Sequence, residues 1–278
     1  MPLEPAPTHV LAHLSDTHLL AGGAALHGVD TVENLRRALE RLESSGVEID
    51  AIVHTGDITD LGELDAYHRV RELVEPVAER LGAAVVWVAG NHDIRGPLRE
   101  GLLGQPPSDA PFDTVTEVGG LRIIGLDSSV PLHGHGDLDG GQLDWLRDVL
   151  ADPAPHGTVL AVHHPPIPTV VRELQTLQLR AVPQLAEVIA GTDVRAILSG
   201  HFHYTTTGAL AAIPVSVVTA SSYTIRVDGP DRGLTGVDGG QGLGLLHLYA
   251  DGAVHSELSL AEYDEVVHLP FGFFDQAP

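Results

Sequence analysis

Five short apolar runs of this chain each lead into a turn that carries Asp, Asn or His, and this recurrence limits the fold more than any other feature of the sequence. The five turns are residues 16–18, 56–60, 90–93, 163–166 and 200–203. Short apolar runs that end at turn residues are typical of buried strands. Between several of the runs, apolar residues recur at helical spacing, as in 31–44, so strands and helices alternate through residue 200.

This alternation predicts an α/β layered fold with parallel strand pairs. We expect helices at 31–44, 63–81, 95–103, 142–150 and 183–190. Pro76 should kink or split the second of these helices. From residue 214 onward strands dominate and suggest a second sheet packed on the first, while the Gly-rich segment 229–244 is predicted to be a flexible connecting loop. We expect a single domain over residues 1–278, with a core at about 9–260 and a tail at 261–278.

The charge and residue composition exclude several classes of function. Lys and Arg together number 15, all of them Arg, against 38 acidic residues, and the formal net charge of -23 repels nucleic acid and anionic membranes. The absence of Lys excludes P-loop and Schiff-base chemistry, and the absence of Cys excludes disulfides and thiol chemistry. No apolar run approaches the roughly 18 residues of a membrane span, and no signal-peptide pattern opens the chain, so we expect a cytoplasmic protein.

The polar residues of the five turns have the chemistry of metal ligands. Sites in α/β folds form outside the carboxyl ends of the strands, so the fold would bring the turns together. In an extended chain Asp16 and His18 share a face, whereas the neighbours Asn91 and His92 point to opposite sides, so one of that pair can face a metal and the other a substrate. The candidate oxygen ligands are Asp16, Asp57 and Asn91, and the candidate nitrogen ligands are His18, His163, His201 and His203.

Mixed carboxylate and imidazole ligands favour Mn, Fe or Zn over Mg or Ca. Seven protein ligands are too many for one such ion and suit two, provided that one carboxylate bridges them. Two ions about 4 Å apart lower the pKa of a shared water and clamp the oxygens of a phosphoryl group. Each turn taken singly would more often be an ordinary turn or helix cap, but five in this order point to a two-metal site.

The ordered motifs of the chain resemble those of the calcineurin-like metallophosphoesterase superfamily. They are Asp16-x-His18, Gly56-Asp57, Gly90-Asn91-His92-Asp93, His163 and Gly200-His201-x-His203, and the resemblance covers residues 9–203. The runs 15–18, 56–60 and 163–168 are similar to those of the class III bacterial cyclic-nucleotide phosphodiesterases. The resemblance implies a four-layer αββα sandwich of two mixed sheets flanked by helices. It also implies hydrolysis of 3',5'- or 2',3'-cyclic nucleotides, a pair of Mn or Fe ions with Zn as an alternative, and a homodimer.

The same resemblance implies a role for each residue of the motifs. One ion would be held by Asp16, His18, Asp57 and His203, and the other by Asp57, Asn91, His163 and His201, which makes Asp57 the bridge. A hydroxide between the ions would attack phosphorus in line. His92 would not bind metal; it would contact the phosphate and help the leaving alkoxide, with Asp93 orienting it from behind. The expected substrate contacts are Asn91, His92, His203, His133 and His135.

Some features leave alternatives open. His133 and His135 lie in a Gly-rich loop at 130–141 that would overhang the site, and His164 is expected to point away from the ligand His163 beside it. The sequence shows no base-reading pocket, so a glycerophosphodiesterase, or a broad-specificity phosphodiesterase or phosphomonoesterase, is an alternative within the enzyme class. A metal-binding scaffold without catalysis is the alternative outside it.

Overall fold

The computed structural model describes residues 6–228, 233–270 and 273. Residues 229–232 of the predicted Gly-rich loop, and residues 271–272 and 274–278 of the predicted tail, lie outside the described residues. The α-helices in the described part are Thr31–Ser44 (α1), Leu64–Leu81 (α2), Arg95–Leu103 (α3), Gly140–Val149 (α4) and Val182–Ile189 (α5). Among them, none has the length and apolar character that a membrane-spanning helix needs.

The strands of the described residues form two large sheets and two short hairpins. They are His9–Leu14 (β1), Ala51–His54 (β2), Ala84–Trp87 (β3), Thr114–Val118 (β4), Leu121–Leu126 (β5), Ser129–Val130 (β6), His133–Gly136 (β7), Thr158–Val162 (β8), Val194–Ser199 (β9), Thr206–Leu210 (β10), Ile213–Val217 (β11), Thr224–Ile225 (β12), Gly236–Val237 (β13), Gly242–Tyr249 (β14) and Gly252–Ser259 (β15). The first sheet has the order β15-β14-β1-β2-β3, and the second has the order β10-β11-β9-β8-β5-β4.

Both sheets are mixed, with parallel strands at their centres. In the first sheet β1, β2 and β3 are parallel, and β14 joins β1 antiparallel. In the second sheet β5, β8, β9 and β11 are parallel, and antiparallel strands β4 and β10 form the two edges. The carboxyl ends of the central strands therefore lie at one edge of each sheet, which is where the polar turns begin.

Three apolar clusters hold the layers together. One packs the first sheet on α1, α2 and α3, a second packs the other sheet on α4 and α5, and a third fills the space between the two sheets. Residues such as Leu11 and Val53 of the first sheet meet Ile123 and Leu198 of the second in that central cluster. The arrangement is a four-layer αββα sandwich, which confirms the predicted fold class.

The position of the C-terminal strands differs from the prediction. β14 and β15 extend the first sheet, with His9 opposite Leu248 and His13 opposite Gly244, whereas the second sheet comes mainly from the middle of the chain. All six residues of β1 are buried. A strand that is covered on both faces needs a hydrogen-bonding neighbour at each edge, and β2 supplies only one of them.

Helix α2 runs unbroken through Pro76, so the helix is not split there, and a kink at Pro76 stays a prediction. Proline removes the hydrogen bond to the carbonyl of Glu72, four residues earlier. Both Pro76 and Glu72 are exposed, so water can satisfy that carbonyl. The opposite face of α2 buries Val70, Val74 and Val77 in the core, and this packing offsets the lost hydrogen bond.

The sequence does not predict the short strands, because they lack a continuous apolar run. The predicted loop at 130–141 contains most of a hairpin of β6 and β7, which carries His133 and His135 on β7. Within the predicted loop at 229–244, β13 pairs with β12. β4 is an edge strand whose residues alternate between half-buried and exposed, so it lacks the continuous apolar run that marks the central strands.

Candidate metal centre

The five polar turns follow β1, β2, β3, β8 and β9, and backbone hydrogen bonds fasten them to one another. The amide of Asp16 donates to the carbonyl of Gly56 at 3.0 Å, and the amide of His18 donates to the carbonyl of Asp57 at 3.0 Å. The amide of Gly200 donates to the carbonyl of His163 at 3.1 Å. Between the sheets, the amide of His201 donates to Oδ2 of Asp16 at 3.0 Å, so the turns of both sheets meet in one place.

Four of the predicted ligands form a compact buried group. The ligand atoms of Asp16, His18, Asp57 and His203 all lie within 4.8 Å of one another. His203 Nε2 lies 3.1 Å from His18 Nε2 and 3.4 Å from Asp16 Oδ1. Two imidazole nitrogens that both lack a proton repel each other at this distance unless a proton or a cation lies between them. The group therefore has the composition and the spacing of a cation site.

A second group adjoins the first through Asp57. Its Oδ2 lies 3.5 Å from His18 Nε2 and 3.3 Å from His163 Nε2, and His163 Nε2 lies 3.2 Å from Asn91 Oδ1. The other carboxylate oxygen, Oδ1, accepts a hydrogen bond of 2.8 Å from the amide of His92. This hydrogen bond holds the carboxylate in the orientation that places Oδ2 between the two groups. The ring of His201 lies beside His163, with a centroid distance of 5.0 Å.

Each of the four predicted histidine ligands has one ring nitrogen held by an oxygen acceptor. The pairs are His18 Nδ1 with Asp60 Oδ1 at 3.0 Å, His163 Nδ1 with the Thr55 carbonyl at 2.7 Å, His201 Nε2 with the Leu177 carbonyl at 2.9 Å, and His203 Nδ1 with the Tyr223 carbonyl at 2.8 Å. A nitrogen that donates its proton outward leaves the lone pair of the other nitrogen for a metal. The donor set therefore fits two ions that share Asp57.

The buried carboxylates are stabilised by the imidazoles around them. Burial alone would raise the pKa of Asp16, but the neighbouring His203 holds it well below its usual range. Burial lowers the pKa of His163, yet the charge of Asp57 outweighs it and raises that pKa to about 9. Buried charges are costly unless an opposite charge compensates them. His163 and His203, whose pKa values are raised, can carry such an opposite charge.

The ligand-bearing turns contain backbone that L-residues rarely adopt. Positive φ angles occur at Asp16 (53°), His18 (46°), Asp57 (48°), His201 (69°) and His203 (55°). Each costs roughly 1 kcal/mol or more, and such strain is concentrated at functional sites. Asp16 and His18 therefore reach the same place through left-handed turns, and not by sharing a face of an extended strand as the sequence suggested.

Two glycines permit the close approach of these turns. A Cβ added at Gly90 would lie 2.2 Å from the backbone nitrogen and from Oδ1 of Asp57. A Cβ added at Gly200 would lie 2.5 Å from Oδ2 of Asp16 and 1.8 Å from Ser15 Oγ. Neither position can carry a side chain without moving a predicted ligand. This explains why glycine directly precedes Asn91 and His201.

His92 is oriented by Asp60, whereas the sequence assigned this task to Asp93. The Nδ1 atom of His92 lies 2.8 Å from the carbonyl of Asp60, so its Nε2 is free of that contact. Burial lowers the pKa of His92, but the charge of Asp57 and the bond to Asp60 raise it overall. His92 is 41% exposed at the side chain, so it can meet a substrate.

Asp93 instead fastens the turn after β3 to the turn after β2. Its carboxylate accepts hydrogen bonds from the amides of Gly90 at 2.9 Å and Thr59 at 3.2 Å, and from the Tyr67 hydroxyl at 3.0 Å. Burial is the main cause that raises the pKa of Asp93 to about 6. None of the described hydrogen bonds joins this carboxylate to the ring of His92.

His164 does not point away from the centre. Its ring lies 4.5 Å from that of His201, centroid to centroid, and its nitrogens group with those of His163 and His201. One nitrogen lies 2.8 Å from Ser128 Oγ and the other 3.3 Å from the carbonyl of Gly134. Because both nitrogens already have partners, His164 ties the β6–β7 hairpin to the centre and has no lone pair left for an ion.

The other predicted substrate contacts lie on that hairpin. The rings of His133 and His135 are 4.9 Å apart on β7, and neither is among the described residues that line the cavity beside His92. Sequence reasoning missed Tyr223, whose ring lies 4.5 Å from that of His203. Burial and the nearby carboxylates raise the pKa of Tyr223 to about 12. The apolar run at 214–220 before this tyrosine predicts a strand but leads into no metal-ligating motif, so the position of Tyr223 at the centre is visible only in three dimensions.

The chain belongs to the calcineurin-like phosphoesterase family, which it matches over residues 9–205. It is 52% identical over 257 residues to a cAMP/cGMP dual specificity phosphodiesterase of Mycobacterium tuberculosis, covering 92% of this chain and 81% of that protein. It is 48% identical over 259 residues to a probable cyclic nucleotide phosphodiesterase of Rhodococcus erythropolis, covering 93% of this chain and 86% of that protein. These findings confirm the resemblance seen in the sequence.

Solved structures of more distant proteins share the fold. A dimetal phosphatase from Danio rerio matches with a TM-score of 0.63 and 14% identity, covering 92% of this chain and 98% of that one. A purple acid phosphatase from yellow lupin matches with a TM-score of 0.65 and 14% identity, covering 92% of this chain and 52% of that one. At this level of identity the likeness concerns the fold alone, and it agrees with the four-layer sandwich.

Replacing Asp57 with Ala is expected to abolish dinuclear metal uptake, because it removes the carboxylate oxygen that lies between the two groups. The unaltered chain should take up about two Mn²⁺ ions, as a two-metal centre requires. Metal content after dialysis, measured by mass spectrometry, provides the test. Asp144→Ala, which removes an exposed carboxylate on α4, is the matched control and should keep both ions. Two ions in Asp57→Ala would contradict the bridging assignment.

Metal uptake is expected to release protons at neutral pH. A pKa of about 9 means that His163 is mostly protonated at about pH 7, and an imidazole must lose that proton before it binds a cation. Affinity for Mn²⁺ should therefore rise with pH up to about 9. A weakly buffered titration should show release on the order of one proton or more per chain at about pH 7, and less above pH 9. Equal release at both values would contradict the expectation.

Proposed function

We propose that this protein is a phosphodiesterase that hydrolyses cyclic nucleotides at a dinuclear metal centre. The observation that carries the proposal is the position of Asp57 Oδ2 between His18 Nε2 and His163 Nε2, with the ring of His92 4.7 Å from that of His18, centroid to centroid. This arrangement provides a shared carboxylate for two ions and a separate proton donor. The names of the relatives that are 52% and 48% identical support cyclic nucleotides as the substrate class.

The proposed ligand sets follow the two groups. Asp16, His18, Asp57 and His203 would hold one ion, and Asp57, Asn91, His163 and His201 would hold the other. When bound, the ions would neutralise charge on the phosphoryl group and lower the pKa of water. The mixture of nitrogen and oxygen donors favours Mn or Fe, with Zn as an alternative.

His92 is the proposed general acid. A water-derived hydroxide attacks phosphorus from the side opposite the leaving ester oxygen, and the bond from phosphorus to that oxygen breaks. With Nδ1 held by the carbonyl of Asp60, a protonated His92 can donate its Nε2 proton to the departing alkoxide. The raised pKa keeps more of this imidazole protonated at neutral pH than an isolated histidine would be. Asp93 contributes by holding the turn that carries His92.

Substrate contacts are proposed for residues beside the two groups. Asn91, His92 and His203 would contact the phosphate, because the first two border the open cavity and the third belongs to the first group. His133 and His135 on β7 stay candidates for substrate contact from the sequence, although neither is among the described residues that line the cavity beside His92. A single domain, a cytoplasmic location and a homodimer remain part of the proposal on the strength of the sequence and the family resemblance.

A panel of substrates separates this function from its alternatives. Purified Mn²⁺-loaded protein would be assayed with 3',5'-cyclic AMP, 2',3'-cyclic AMP, glycerophosphocholine and 4-nitrophenyl phosphate. Hydrolysis of one or both cyclic nucleotides with the largest kcat/KM supports the proposal. A preference for glycerophosphocholine or for the monoester would replace it with one of the other hydrolase functions. Loaded protein that is inert on all four would favour the non-catalytic scaffold.

His92→Ala is expected to slow hydrolysis of the best substrate by about 100-fold or more, because a general acid contributes on this scale. Both metal ions should remain bound, since His92 belongs to neither proposed ligand set. Steady-state kinetics and metal analysis of the same preparation test both statements. His68→Ala, which removes an exposed histidine on α2, is the matched control. A loss of metal together with activity would show that His92 acts as a ligand.

A further inference from the structure

A cavity of about 580 Å³ opens directly beside His92. Asn91 and His92 form part of its lining, so the cavity is continuous with the proposed reaction centre. Aliphatic side chains from three separate segments also line it, and the three most exposed are Leu61 after β2, Ile94 after β3 and Leu132 at the tip of the β6–β7 hairpin. Cavities that bind small molecules have volumes of about 300–1,000 Å³ and largely apolar walls.

These three aliphatic side chains are unusually exposed. Leu61 is 61% exposed, Ile94 is 50% exposed and Leu132 is fully exposed. A single exposed leucine is ordinary, but three that converge on one cavity form an apolar patch of the kind that marks a binding site. Two of the three also lie next to a polar residue of the centre, since Leu61 follows Asp60 and Ile94 follows Asp93. The turns after β2 and β3 therefore contribute to both the patch and the centre, and the β6–β7 hairpin adds Leu132 to the patch.

The backbone conformation at Leu132 also points to a binding role for its side chain. Pro131 and Leu132 are the two residues between β6 and β7, and Leu132 has a φ of 66°. Glycine or asparagine is the ordinary residue for this conformation in a tight turn, and a bulky residue there is strained. Leucine at this position is both strained and fully exposed. The positive φ costs free energy, and the exposed side chain recovers none of it by burial among the described residues.

The cavity is held in shape by Arg95. Its guanidinium donates to buried Asp127 at 2.7 Å, to the carbonyl of Ser129 at 2.9 Å and to the carbonyl of Asp109 at 3.0 Å. These bonds fasten the start of α3 to the β6–β7 hairpin and to the loop before β4. Because Arg95 is committed to the protein, it stabilises the wall and does not offer a charge for a second phosphate.

We propose that this cavity binds the nucleoside part of the cyclic nucleotide, with the base between Leu61 and Ile94 on one side and Leu132 on the other. This inference rests on the proposed function. The carboxylates of Asp60 and Asp109 also line the cavity, and they disfavour a second anionic group. A neutral nucleoside on one phosphodiester therefore fits better than a longer nucleotide. Aliphatic walls contact the faces of a purine and not its polar edge, so adenine and guanine should bind similarly.

Leu132→Gly tests the proposal without weakening the turn. Glycine suits the positive φ, so the melting temperature should stay the same or rise, whereas the nucleoside loses one aliphatic wall. Two substrates would be compared: 3',5'-cyclic AMP and the six-membered cyclic phosphate of propane-1,3-diol, which has the reacting ring without ribose or base. The ratio of kcat/KM for the first to kcat/KM for the second should fall about ten-fold, the scale of a lost apolar contact.

Two further variants sharpen the comparison. Leu132→Asn keeps a side chain that tolerates the same φ but is polar, and it should lower the ratio as Leu132→Gly does. Ala212→Gly relieves a φ of 67° in the exposed turn between β10 and β11, and it should leave the ratio unchanged. An unchanged ratio in both Leu132 variants would overturn the proposal.

A binding measurement separates failure of this inference from failure of the proposed function. If the unaltered protein opens the propanediol ring but not cyclic AMP, the proposed function is wrong. Adenosine, which carries no phosphate, would then be titrated into the metal-loaded protein and followed by NMR. Binding that Leu132→Gly weakens supports a nucleoside site in the cavity. Adenosine that does not bind, or binds equally to both proteins, overturns it.

Discussion

The centre of this protein depends on two carboxylates, Asp16 and Asp57, that are ionised where almost no water reaches them. An isolated buried carboxylate would take up a proton to avoid the cost of desolvation. Imidazoles on both sides keep the pKa of each carboxylate low, and those imidazoles are in turn held by oxygen acceptors. The fold must therefore place the carboxylates and their imidazole partners side by side. A change at any one of the turns then alters the electrostatic environment of the side chains on the others.

The sandwich supplies the rigidity that this balance needs. Central strands of both sheets are buried on both faces, and the apolar cluster between the sheets fixes the distance between turns from the two halves. That packing also stabilises the left-handed backbone at Asp16, His18 and Asp57, which is unfavourable in isolation. Glycines at 90 and 200 then allow the turns to approach within contact distance of the carboxylates.

Much of the fold and of the candidate centre could be predicted from the sequence because both depend on strand ends. Apolar runs identify the central strands, and the residues that follow them meet wherever those ends meet. The contacts of Asp60, Asp93, His164 and Tyr223 could not be predicted, since they depend on how each turn bends after its strand. The same limit applies to Asp16 and His18. The sequence predicts that they share a face of an extended strand, whereas both have positive φ angles and reach the same place through left-handed turns. β14 and β15 lie where they do because β1 has a free edge that β14 can pair with, and no sequence pattern shows which strand has such an edge.

His164 joins two parts of the molecule that would otherwise be separate. Its ring lies against that of His201. Its nitrogens contact Ser128, just before the β6–β7 hairpin, and Gly134 within it, and Leu132 lies at the tip of the same hairpin. Because His164 contacts both, a shift of that hairpin changes the surroundings of His201, and a shift of His201 changes the surroundings of the hairpin. If the cavity binds the nucleoside as proposed, its occupancy and the occupancy of the cation centre would be thermodynamically linked through this ring. Such linkage is reciprocal, so whichever occupant arrives first alters the affinity for the other by the same factor.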